Sequence, residues 1–96
     1  MKYIAFWEYC PEDMDKVIEK NRKVIAERQQ FPDKYPKLVF GPYAMGGEPK
    51  GFTGLETDDP EKLTKWVLAY FPEMKIKYVP IFESSMVIEI YEEMKK

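Results

Sequence analysis

The sequence predicts a single α+β domain, and three observations lead to this fold class. Apolar segments follow the order strand, helix, strand, strand, helix, strand, and a short helical segment ends the 96-residue chain. Prolines interrupt only the second and fourth predicted strands, at Pro42 and Pro80, where these strands form the sheet edges that tolerate proline. The first strand is apolar on both faces, as a central strand is. Together these features predict a ferredoxin-like domain with an antiparallel sheet of order 4-1-3-2.

The first predicted strand, residues 2–9, carries large apolar side chains on both of its faces. One face presents Ile4 and Phe6, and the other presents Tyr3, Ala5, Trp7 and Tyr9. Two helices can cover only one face of a four-stranded sheet. We therefore expect a second copy of the chain to cover the other face, which gives a homodimer.

The two main helices have recognisable starts. Pro11 suits the first position of the first helix. An apolar stripe at helical spacing follows, and we expect the helix to end at Phe31-Pro32. The second helix has the clearest signal in the chain, with Asp59 as N-cap and Pro60 at the first helical position, and it ends before Pro72.

The remaining segments complete the predicted sheet and add a final helix. Residues 38–45 and 51–57 form a hairpin around a glycine-containing turn at 46–50, and residues 75–83 form the fourth strand. After Ser84-Ser85, apolar residues recur at helical spacing from Met86 to Met94. We expect a serine to cap this helix, and a fifth strand is the alternative.

Composition limits the chemistry open to the chain. There is no histidine and one cysteine, Cys10, so haem ligation by histidine, histidine-based metal sites and intramolecular disulfides are excluded. We expect no cofactor and no metal. A net charge of −2 does not indicate nucleic acid or an anionic membrane as a partner. The longest apolar run, residues 66–71, is too short to span a bilayer. These features predict a cytoplasmic protein, and one Asn beside abundant Lys and Glu indicates a thermophilic origin.

Several of these segments resemble a known family. They are Lys2 to Trp7, the Pro11-Glu12 helix start, Gly51-Phe52, and Glu56 to Glu61 followed by Trp66. Over nearly the whole chain up to about Glu83, the sequence resembles an uncharacterised prokaryotic family of small domains of unknown function in the dimeric α+β barrel superfamily. The resemblance implies two sheets paired face to face in a dimer, with a pocket between sheet and helices in each subunit. Relatives in that superfamily include antibiotic-biosynthesis monooxygenases and muconolactone isomerase-like proteins. The lack of histidine departs from its haem-degrading branch.

Five residues are candidates for binding a ligand. Asn21 lies in the middle of the apolar face of the first helix, where a buried amide needs hydrogen-bond partners. Its alternative role is to bond a backbone group or a water. Arg28, seven residues later on the same face, can hold an anionic group, or it can extend to solvent at the helix end. Trp7, Tyr43 and Trp66 can line an aromatic pocket for a planar organic ligand, or they can simply form the core or the dimer interface.

Two functions follow from these candidates. The first is a protein that binds a small organic molecule between sheet and helices, with a cofactor-independent oxygenase or isomerase as its catalytic form. The alternative is a structural or regulatory interaction module without catalytic activity. Whether the chain is an enzyme stays open at this point, since no catalytic motif is present.

Overall fold

The computed structural model describes residues 1–95 and has the predicted α+β architecture. The strands are β1 (Lys2–Tyr9), β2 (Lys37–Ala44), β3 (Lys50–Glu56) and β4 (Met74–Ile81). The helices are α1 (Met14–Gln30), α2 (Pro60–Tyr70) and α3 (Ser84–Met94), and a 3-10 turn, Pro11–Asp13, leads into α1. The order of elements confirms the ferredoxin-like prediction for the single chain.

The sheet has the predicted topology. Its four strands are antiparallel in the order β2-β3-β1-β4, so Pro42 in β2 and Pro80 in β4 lie on edge strands, as expected. Within it, Phe6 pairs with Phe52 and Trp7 pairs with Gly51 across β1 and β3. Two register irregularities interrupt the pairing of β2 with β3, and the first follows Leu38. They change which residues of β2 face the helices.

The helix ends agree with the sequence except in two places. The Asp59 side chain accepts a hydrogen bond of 2.9 Å from the backbone N–H of Glu61, which confirms the predicted cap of α2. Pro11 begins a 3-10 turn rather than the α-helix itself, and α1 starts three residues later. The expected serine cap of α3 is wrong, because Glu83 occupies the cap position without a side-chain bond and Ser84 is already helical. Among residues 1–95, no helix is both long and apolar enough to cross a membrane.

Helices α1 and α2 cover the sheet face that carries Trp7. The core joins Ala5 and Leu55 of the sheet to Val17 and Val24 of α1 and to the aromatic side chains of α2. The other face, which we call the open face, carries a cluster of aromatic rings. Phe6 on this face is 38% exposed, and the ring centroids of Phe6 and Phe52 lie 6.4 Å apart.

The chain leaves an unusual amount of its surface uncovered. Its accessible area is 7159 Å², whereas a compact monomer of 11.4 kDa exposes about 5,800 Å². Helix α3 accounts for part of this difference, since none of its residues is buried and its apolar side chains face solvent. The excess of about 1,400 Å² exceeds the 800 Å² or so that a partner buries in a standard interface.

Candidate ligand cavity

A cavity of about 310 Å³ lies between α1, α2 and the sheet. Aromatic and aliphatic side chains form most of its wall, and a few polar groups interrupt them. The lining residues are Trp7, Tyr9, Val17, Ile18, Asn21, Val24, Ile25, Arg28, Leu38, Pro42, Thr53, Trp66, Tyr70 and Met74. Apolar walls with few polar groups are typical of sites for small organic molecules.

The floor of the cavity depends on a close approach between Trp7 and β3. Gly51 faces Trp7 across the strands, and a methyl group at Gly51 would lie 2.6 Å from the indole ring. With only hydrogen there, the indole lies across β3, and its Nε1–H donates to the Thr53 hydroxyl at 3.0 Å. The Trp7 ring also stacks on Tyr9, with centroids 6.2 Å apart. These contacts fix the orientation of the Trp7 ring in the wall.

One hydrogen bond between the two helices forms the polar part of the wall. The Tyr70 hydroxyl of α2 donates to Oδ1 of Asn21 on α1 at 2.8 Å. The amide therefore bonds a side chain that also lines the cavity. Burial raises the pKa of Tyr70 to about 12, so this phenol stays neutral and acts as a donor near neutral pH. Trp66 packs against Tyr70 edge-to-face, with ring centroids 5.2 Å apart.

Arg28 lies half-buried at one end of the cavity. Its Nη1 donates to the backbone carbonyl of Pro36, and its guanidinium lies 5.8 Å from the centroid of the Tyr35 ring. Burial lowers the pKa of this guanidinium, although the group remains charged at neutral pH. Tyr35 and Pro36 are themselves buried, so the loop before β2 is attached to the domain at this point.

The structure brings four of the five candidate residues together. Trp7, Asn21, Arg28 and Trp66 all line the cavity, from three different elements. Tyr43 does not line it, because this residue pairs with Phe52 and lies with Phe6 on the open face, where it is 56% exposed. The sequence left undecided which face of the first strand meets the helices, and Trp7 and Tyr43 belong to opposite faces.

The candidates from the sequence did not include the lining residues that β2 and β3 contribute, which are Leu38, Pro42 and Thr53. Leu38 and Pro42 come from the edge strand β2. Because the register of β2 with β3 is irregular, simple alternation along the sequence does not show which β2 side chains face the helices. Thr53 is buried on the helix-covered face of β3. The sequence does contain a signal for it. Thr53 alternates with Gly51 and Leu55, so it is a polar residue on the strand face that is expected to be apolar.

The described lining includes few ionisable side chains. None of its described residues is a carboxylate, a cysteine or a lysine, and Tyr70 has a raised pKa. Within residues 1–95, no group of three or more Cys, Asp or Glu side chains is placed to hold a metal ion. The cavity can therefore enclose an apolar molecule and offer it hydrogen bonds and one positive charge.

Comparison with known proteins places the chain in a family. A search of curated proteins found no match. The profile of the family described as a domain of unknown function, DUF3303, matches residues 1–95. Because the match spans nearly the whole sequence, the chain belongs to the DUF3303 family.

Proposed function

We propose that this protein binds a small, planar organic molecule in the cavity between α1, α2 and the sheet. The observation that carries the proposal is the position of Asn21. A lone amide on the apolar face of α1 lies at the cavity wall, and its oxygen is held by Tyr70 at 2.8 Å. In ligand sites, a few fixed polar groups in an apolar wall orient the molecule.

The size and the walls of the cavity support a compact aromatic ligand. Its volume of about 310 Å³ is near the lower end of the roughly 300–1,000 Å³ usual for such sites. Two indole rings line the cavity from different elements, Trp7 from the sheet and Trp66 from α2. Stacking on such rings favours planar molecules over branched aliphatic ones.

Binding is better supported than catalysis. General base catalysis uses a positioned side chain whose pKa is near the working pH, and the described lining holds no carboxylate, cysteine or lysine for this role. If the protein were an enzyme of this kind, its substrate would have to lose a proton without one of these side chains acting as a base. We therefore infer a binding or carrier role.

We also propose that a second copy of the chain covers the open face, in the manner of the dimeric α+β barrel superfamily. The exposed rings of Phe6 and Tyr43, with the partly exposed ring of Phe52 between them, provide an apolar centre for this contact. The uncovered surface is about 1,400 Å² larger than a compact monomer needs, which is enough for a standard interface. The apolar side chains of α3 are further surface that a partner copy can cover.

The binding proposal is tested with N-phenylnaphthylamine, a neutral aromatic amine whose fluorescence rises in apolar surroundings. Ile25 lines the cavity and is 49% exposed, so Ile25→Trp narrows its mouth without filling the core. Leu68 on α2 is 61% exposed and does not line the cavity, so Leu68→Trp is the matched control. We expect saturable binding to the wild type and to Leu68→Trp, and at least tenfold weaker binding to Ile25→Trp, about 1.4 kcal/mol. Equal binding to all three proteins would refute the cavity as the site.

A further inference from the structure

A second depression adjoins the cavity and shares two residues with it. This cleft, which we call the basic cleft, has a volume of about 480 Å³. It is lined by Arg28, Pro32, Asp33, Tyr35, Lys37, Leu38, Glu56, Thr57 and Lys62. Arg28 and Leu38 also line the cavity, so the guanidinium lies at the boundary between an apolar chamber and a charged one.

The charge of Arg28 is not balanced within the described chain. Four ion pairs occur among residues 1–95, and none includes Arg28. Its one hydrogen bond is to the neutral carbonyl of Pro36, which leaves most of its five N–H donors free. The guanidinium is half-buried, and its partial removal from water lowers its pKa, so a nearby negative charge would stabilise it. An anion beside Arg28 would supply the missing partner.

The rest of the basic cleft favours an anion over a cation. Lys37 is the cross-strand neighbour of Glu56, so these two opposite charges offset one another. Arg28 and Lys62 then face the single carboxylate of Asp33. The remaining charge is positive, and it lies at the end of the cavity through which a bound molecule would extend.

From this arrangement we propose that the ligand is a planar apolar molecule carrying one anionic group, a carboxylate, sulfonate or phosphate. The apolar body occupies the cavity between Trp7 and Trp66, and the anionic group accepts hydrogen bonds from Arg28 at the basic cleft. A guanidinium suits this role because its paired donors match two oxygens of one anion. This inference rests on the proposed function, since it names the ligand class of the same cavity.

Two fluorescent compounds with one framework separate this inference from the binding proposal. Anilinonaphthalenesulfonate and N-phenylnaphthylamine share the aromatic amine, and only the first carries a sulfonate. We expect wild-type protein to bind the sulfonate about tenfold more tightly, because hydrogen bonds to a charged group are worth more than neutral ones. Added salt should weaken binding of the sulfonate and leave binding of the neutral compound unchanged.

Variants of Arg28 identify the group that recognises the anion. Arg28→Gln should weaken sulfonate binding about tenfold and change binding of the neutral compound less than about twofold. Arg28→Lys should retain part of the preference, since it keeps the charge but loses the paired donors. Arg22, exposed on α1 and outside both linings, gives the control Arg22→Gln, for which neither affinity should change.

The outcomes distinguish the two proposals. If neither compound binds, the proposed function fails. If both bind equally and Arg28→Gln changes neither affinity, the cavity binds molecules but the anionic class is wrong. If sulfonate binding is insensitive to Ile25→Trp, the compound binds elsewhere and the inference is also wrong. If Arg28→Gln does not fold, Lys62→Gln decides, because this lysine lines only the basic cleft and should lower sulfonate affinity alone.

Discussion

The hydrogen bond between Tyr70 and Asn21 gives the most informative single substitution, Tyr70→Phe. The hydroxyl donates over 2.8 Å from a side chain that is 5% exposed. Its removal costs a neutral hydrogen bond and leaves the Asn21 oxygen next to a cavity that water can enter. We expect a loss of about 1 kcal/mol in the free energy of unfolding, or about 4–8 °C in Tm for a domain of this size.

The same substitution should weaken ligand binding. Without Tyr70 holding it, Asn21 must be ordered when the ligand binds, which costs about 0.5–1.5 kcal/mol. We expect N-phenylnaphthylamine to bind about two- to tenfold more weakly. The apolar wall itself is unchanged, since the phenyl ring remains. Fluorescence titration measures this change, and urea unfolding measures stability.

Tyr78→Phe is the matched control for this substitution. The Tyr78 hydroxyl donates to the backbone carbonyl of Leu63 at 2.7 Å, and Tyr78 does not line the cavity. Its loss should cost a similar 1 kcal/mol or so and leave ligand affinity within about 1.5-fold, because no contact of the cavity changes. If the two variants changed ligand affinity equally, the assignment of Asn21 and Tyr70 to the site would be refuted.

The raised pKa of Tyr70 also predicts how stability changes at alkaline pH. Its pKa is raised by burial to about 12 from an ordinary value of 10.0, so the folded state favours the protonated phenol. This stabilisation is complete below pH 10 and is lost as the pH rises towards 12. Over this range the free energy of unfolding falls by about 2–3 kcal/mol. Tyr70→Phe should therefore lose less stability than the wild type between these pH values, as urea unfolding at each pH will show.

Three further predictions concern the open face, the loss of stability at acid pH and the floor of the cavity. Phe52→Lys places a charge in the ring cluster of the open face and should shift the protein from dimer to monomer in sedimentation velocity. Glu73 has a pKa lowered below 4.5, first by the hydrogen bond from Lys20. The stabilisation is present above pH 4.5 and lost as the pH falls, so Glu73→Gln should flatten the acid loss of Tm. Gly51→Ala forces its methyl against the backbone oxygen of Tyr43 and the Trp7 ring and should cost about 3 kcal/mol or more in urea unfolding.

Each of these predictions has a control and a contradicting result. Leu68→Lys changes an exposed residue of α2 and should leave the dimer intact, and a monomeric wild type would contradict the proposed assembly. Lys20→Met removes the donor that lowers the pKa of Glu73 and should also flatten the acid loss of Tm, and a loss as steep as in the wild type would contradict this assignment. The atoms nearest to a methyl at Gly54 belong to the Phe40 side chain, which can move, whereas those nearest to a methyl at Gly51 include backbone, so Gly54→Ala should cost less than Gly51→Ala. The reverse order would show that neither the β2 backbone nor Trp7 lies this close to Gly51.

The sequence predicts the fold well because the residues that start, end or interrupt its helices and strands act locally. Pro42 and Pro80 exclude central strands, and Asp59 followed by Pro60 starts α2, so the sheet order and the helices follow without knowledge of packing. The start of α1 and the cap of α3 were less accurate, because a 3-10 turn and a helix share their first residues and α3 lacks a side-chain cap.

The site is less predictable because it depends on contacts between distant residues. Asn21 and Arg28 were identifiable, since a polar residue on an apolar helix face is conspicuous in the sequence. The partner of Asn21 was not, because Tyr70 lies 49 residues later. Tyr43 and Trp7 are both strand aromatics, and only the pairing of β2, β3 and β1 shows that they lie on opposite faces.

Native mass spectrometry with N-phenylnaphthylamine tests the central claim, that the cavity is a ligand site, most directly, because it counts subunits and ligands in one spectrum. We expect one molecule per subunit on the wild type and on Leu68→Trp, and none on Ile25→Trp at the same concentration. Each of these proteins should be a dimer. Equal loading of Ile25→Trp, or no loading of the wild type, would contradict the claim.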